Sequence, residues 1–142
     1  MTQKKQTQFT IPEEFKSKVE GWKANYGKIK YLDIDSLLQI KKEKKKEGNK
    51  EVDIEVPEYK QGRSVFFRMP SRQEMSAAEN LSVNESGQMD SYKKAEKLMV
   101  DCYLGGQATL DEILADIELY MAVAEFCLYN LVERKNVNWG SC

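Results

Sequence analysis

The chain has 142 residues, 41% hydrophobic and 32% charged, with a formal net charge of -1. That length suits one domain around one hydrophobic core, and the near-neutral balance removes any global pull toward nucleic acid or an anionic membrane. The complete lack of histidine excludes a Ser-His-Asp triad, a Cys-His dyad and any Cys/His metal finger.

Residues 1–9 are polar and lysine-bearing without the apolar stretch of a signal peptide, and read as a flexible tail. No run approaches the roughly 18 apolar residues of a membrane span. Cys102, Cys127 and Cys142 are odd in number and widely spaced, as expected of reduced thiols in a cytoplasmic protein.

Three helix starts carry a capping box, a Ser or Thr followed three residues later by Glu: Thr10 with Glu13, Ser71 with Glu74, and Thr109 with Glu112. The first helix is expected over 10–26, with Phe15, Val19, Trp22 and Tyr26 at helical spacing and Gly27 as its stop. Residues 28–34, 52–56 and 64–69 are β-branched and aromatic, and read as short strands. Between the first two lies a lysine- and glutamate-rich insertion over 37–50, read as a mobile loop or frayed helix. Helices over 71–81 and 90–102 follow, the second ending at Gly105-Gly106, and a long last helix runs from Leu110 to about Arg134.

Along that last helix Ile113, Leu114, Ile117, Met121, Ala124, Cys127, Leu128 and Leu131 form one stripe, and Leu119, Tyr120, Val123, Phe126, Tyr129 and Val132 widen it. Core packing is one reading. The other is that the excess width forms a partner groove or dimer face, for which Tyr120, Phe126 and Tyr129 are suitable residue types. The expected class is therefore α+β, mainly helical, with about four helices and a small two- or three-stranded antiparallel sheet. It forms a single domain over 10–135 with an irregular tail over 136–142.

Nothing assembles into an active site. Glu112, Asp116 and Glu118 lie on or near the face opposite the stripe, where solvated charge is the ordinary role. Gly105-Gly106 lacks the spacing and preceding strand of a phosphate loop. No catalytic residue, metal or cofactor is assigned. The basic cluster Lys41, Lys42, Lys44, Lys45 and Lys46 could neutralise phosphates, but the absence of interleaved aromatics and arginines argues against nucleic acid. A solvated insertion, or an arm for an acidic partner, accounts for the same residues.

The segment Lys23-Ala24-Asn25-Tyr26-Gly27-Lys28-Ile29, then Phe67-Arg68-Met69-Pro70-Ser71-Arg72-Gln73-Glu74, then Lys97-Leu98-Met99-Val100-Asp101-Cys102-Tyr103-Leu104-Gly105-Gly106 and a closing helix, resembles the order of parts in small phage tail assembly chaperones. The lysine-rich stretch over 37–60 is longer than that family's usual hairpin connection. The resemblance implies a non-catalytic protein in the bacterial host cell that binds the tape measure protein or tail tube subunits during assembly. The last helix, with Tyr120, Phe126 and Tyr129, and the turn carrying Arg68, Arg72 and Glu74 would then be its client surface. A structural tail component, or a nucleic-acid-binding regulator using the lysines, are the alternatives.

Overall fold

The computed structural model of the chain describes residues 9–142; the expected N-terminal tail lies outside them except for Phe9, whose ring stacks on Tyr31 with centroids 3.7 Å apart. Helix α1 (Glu13–Tyr26) starts after Pro12 without a side-chain cap, so the expected Thr10–Glu13 capping box does not form. The Thr10 backbone is occupied elsewhere: its N–H donates to Gln61 Oε1 at 2.9 Å, and its carbonyl accepts from Gln61 Nε2 at 2.7 Å.

Four strands follow as the two arms of one long, interrupted hairpin: β1 (Ile29–Ile34), β2 (Leu37–Glu47), β3 (Lys50–Lys60) and β4 (Arg63–Arg68). The expected mobile loop or frayed helix over 37–50 is instead β2 and the Gly48-Asn49 turn, with Gly48 at φ 62°, which with β3, enclosing the expected strand over 52–56, forms a two-stranded ribbon. A two-residue loop with the positive φ at its first position is the hairpin turn whose twist suits the flanking strands. Pairing explains what composition hid. Lys42, Lys44 and Lys46 lie opposite Glu55, Asp53 and Glu51, and opposite charges across a ladder stabilise it.

The ribbon continues the main sheet in register. Ile29 pairs with Arg68 and Ile34 with Arg63, and after a short interruption Leu37 pairs with Lys60 on the same alignment. The main sheet has the order β1-β4-β5, all antiparallel. Its third strand, β5 (Tyr103–Gly106), is made by the residues expected to be a helix stop. Gly106 lets it lie flat on β4: a Cβ there would sit 2.5 Å from the Ser64 carbonyl oxygen and 2.6 Å from Val65 Cα.

Helices α2 (Arg72–Ser82) and α4 (Leu110–Ala115) open on the predicted capping boxes, Ser71 with Glu74 and Thr109 with Glu112. Asp90 caps α3 (Ser91–Cys102). The long last helix is broken. The Asp116 carboxylate accepts from the Glu118 and Leu119 N–H groups, ending α4 and starting α5 (Ile117–Tyr129). An Asp that bonds to backbone N–H groups competes with helix continuation. The chain is therefore not mainly helical: among the described residues it has five helices and five strands in two sheets, 42% helical and 30% strand. The tail over 136–142 carries no helix or strand, and Trp139 is exposed.

β4 organises the interior through its alternating side chains. Val65 and Phe67 face the larger core with Leu98, Met99, Val123, Phe126 and Leu131 from α3, α5 and the segment after it. Phe66 faces the other way, against Phe15, Val19 and Trp22 of α1. Helices thus cover both faces of the main sheet.

Candidate protein-binding surface

The break at Asp116 sets which side of α5 is buried. Leu119, Val123, Phe126 and Cys127 point into the core, whereas Ile117 is 68% exposed, Met121 44% and Tyr129 72%. Of the expected continuous stripe, Ile113, Ala124, Cys127 and Leu131 are buried, but Leu114, Ile117 and Met121 face outward. Met121 and Tyr129, with Ala122 and Leu128, flank Tyr92 at the start of α3, and together they border a shallow depression of about 300 Å³; Ile117 lies one turn before Met121 on the same helix. Tyr92 is 46% exposed, and its ring lies 6.4 Å from that of Tyr120. The Tyr120 hydroxyl donates to the Tyr92 carbonyl at 3.4 Å, which ties α5 to α3. Burial, followed by the nearby Glu96 carboxylate, pushes the Tyr120 hydroxyl above its ordinary range. Glu118 and Glu125 are exposed on the same side of α5 and give the apolar strip an acidic rim.

The residues singled out from the sequence are divided by the fold. Tyr129 lines the depression and Tyr120 buttresses it, but Phe126 is buried, its ring 5.4 Å from Phe67. Arg68 and Glu74 are joined in a two-pronged ion pair at 2.8 and 2.7 Å. A further Arg68 bond reaches the Asp101 carbonyl at 2.6 Å, and its guanidinium lies over the Tyr26 ring. One side chain thereby links α1, β4, α2 and α3, an internal tie. Arg72, one turn away, is exposed. Lys41, Lys42, Lys44, Lys45 and Lys46 all lie along β2 of the ribbon. Tyr92, Ile117 and Met121 were not singled out. Asp116, with free N–H groups two and three residues on, was the signal that would have reset the helix phase.

A second depression, about 360 Å³, lies at the root of the ribbon among Asp33, Asp35, Arg63, Asp116 and Glu118. One Asp33 oxygen accepts from the Gly62 N–H at 2.8 Å and the other has no partner among the described residues; burial raises the pKa of this carboxyl. Arg63 bonds Asp35 at 2.8 Å. Among the described residues no group of three or more His, Cys, Asp or Glu side chains could hold a metal ion, and no helix is long and apolar enough to cross a membrane. No family model matches the chain, and no curated protein or solved structure does either.

The thiols follow burial. Cys102 and Cys127 are enclosed, and desolvation pushes them up to about 11 and about 12, while Cys142 is exposed. Because the thiolate is the reactive species, the native protein should take up a thiol reagent rapidly at Cys142 alone. Cys102 and Cys127 should follow only on denaturation, and mass spectrometry of the labelled peptides checks this.

Proposed function

We propose that the chain is a non-catalytic protein-binding protein whose α5 strip receives an apolar segment of an unassembled client. The observation that carries this reading is the outward row Ile117, Met121 and Tyr129, the last two beside Tyr92, left uncovered among the described residues while the opposite side of the same helix is fully used by the core. Covering on the order of 300 Å² of apolar surface gains about 7 kcal/mol before association costs. Those costs consume several kcal/mol. The resulting grip is modest and suits a client that assembly must later displace. The acidic rim favours a client helix with basic residues flanking its apolar ones.

The resemblance of the motif order to phage tail assembly chaperones supplies the client class: the tape measure protein or tail tube subunits, in the cytoplasm of a bacterial host. The ribbon tells against the nucleic-acid alternative, because three of its lysines already face carboxylates across the ladder. The test is coexpression with such a client and capture on a tagged chain. Met121→Asp with Tyr129→Ser should abolish capture while leaving the circular dichroism spectrum unchanged. Failure of the unmodified chain to capture or solubilise any such client, or undiminished capture by the variant, would reject the reading. A structural tail component would instead be abundant in purified particles by mass spectrometry, where a chaperone is absent.

A further inference from the structure

The β2–β3 ribbon is the part of the fold with least packed against it. Every residue of β2 is exposed, and β3 is at most half-buried. An isolated two-stranded ribbon is marginal in water, so eleven residue pairs with no third strand among the described residues leave stabilisation unused on both edges.

The chemistry of the edges follows from the register. A two-residue turn closes on a hydrogen-bonded pair, here Glu47 with Lys50, so the bonded pairs recur at every second position through Lys45–Val52 and Glu43–Ile54. The intervening residues turn their backbone N–H and C=O groups outward. On β2 these include Lys42, Lys44 and Lys46; on β3 they include Glu51, Asp53 and Glu55. Pro57, also in the outward set, agrees with this phase, since a proline inside the ladder would remove one of its bonds. One free edge is therefore cationic and the other anionic.

We propose that the ribbon is a self-association element, in which the β2 edge of one copy pairs antiparallel with the β3 edge of a second copy. Two ribbons laid side by side in the same orientation set Lys42, Lys44 and Lys46 of one against Glu55, Asp53 and Glu51 of the next. That repeats between molecules the matches each hairpin makes within itself. Pairing β2 with β2, or β3 with β3, sets like charges together and is disfavoured. The contact uses two different edges, so it propagates into a ring or an open filament instead of closing as a twofold dimer. It is separate from the α5 strip and does not depend on the client reading.

Sedimentation velocity of the full chain over a concentration series tests it. Association should appear at low salt and weaken as salt rises, because exposed charge pairs are screened. Lys44→Pro removes an outward N–H without touching the ladder to β3, and should abolish association with an unchanged dichroism spectrum. The sixfold exchange K42E/K44E/K46E/E51K/D53K/E55K keeps every internal match. It should self-associate yet fail to mix with the unmodified chain when the two carry different fluorophores, and it keeps the test intact should Lys44→Pro misfold. A chain that stays monomeric at low salt, a folded Lys44→Pro that associates normally, or free mixing of the exchanged and unmodified chains would each overturn the proposal. Association lost in Met121→Asp but kept in Lys44→Pro would place the contact on α5 and also overturn it.

Discussion

Gly106→Ala should leave the chain largely insoluble or partly unfolded, with a loss of at least about 3 kcal/mol. The added methyl has nowhere to go. Its neighbours at 2.5 and 2.6 Å are backbone atoms of Ser64 and Val65, and Val65 Cγ1 is 2.7 Å away. β4 cannot retreat to make room, because Val65, Phe66 and Phe67 are fully used by the two cores on either side of it. The strain must instead lift β5 away. That would break the Gln107 contacts, in which its N–H donates to the Ser64 carbonyl at 2.7 Å and its side-chain oxygen accepts from the Ser64 N–H at 2.8 Å. Urea unfolding monitored by tryptophan fluorescence should report this directly, since Trp22 lies against Gly105 in the same strand.

Arg68→Ala should cost about 3 kcal/mol, the usual loss when one partner of a largely buried ion pair is removed. That lowers the melting temperature by roughly 10 °C for a chain of this size. The effect is large because Glu74 is left without its partner while its side chain remains only 26% exposed, and because the Asp101 carbonyl and the Tyr26 ring lose the same guanidinium. The pair also sets an acid limb. Arg68, helped by the Ser71 N–H, holds the Glu74 carboxyl down to about 2 against an ordinary value of 4.5. The stabilisation is therefore complete above pH about 4.5 and disappears as pH falls toward about 2. Melts between pH 6 and pH 2, values spanning the usual acid-denaturation range, should show Glu74→Gln less stable at neutral pH and flatter through that window. Parallel curves for the two proteins would mean that the pair carries no linkage.

The features legible in the sequence were those whose signal is local. Ser71 with Glu74 and Thr109 with Glu112 cap helices as expected because a capping box needs only four neighbouring residues. The strands around Tyr31 and Phe66 were visible in their β-branched and aromatic content. The expected strand over 52–56 lies within β3, but β2 was hidden, because lysine and glutamate favour helices and their value in β2 appears only when β3 supplies the opposing charges. β5 was hidden for a related reason: Tyr103–Gly106 is a strand only because β4 is there to receive it. At the surface, Tyr129 could be picked by residue type, but Ile117 and Met121 required knowing that Asp116 restarts the helix. Arg68, Arg72 and Glu74 stand out in the sequence as a candidate client surface, but Arg68 and Glu74 spend their bonds inside the molecule and Arg72 alone is exposed.

The shared alignment of ribbon and sheet also dictates how the length of this projection can change. Because β1 to β2 and β3 to β4 run on one continuous alignment, adding or deleting two residues on each side of the Gly48-Asn49 tip keeps a hydrogen-bonded pair at the turn and leaves every contact below untouched. Each such step alters the reach by about 6.6 Å. A single unmatched insertion in β3 would be forced either into a local bulge or down into β4. In the second case Phe66 and Phe67 exchange sides and both interiors receive the wrong ring. Gene variants of this chain should therefore differ in the span of the projection by matched increments, with its tip as the tolerant locus and its base intolerant of frame.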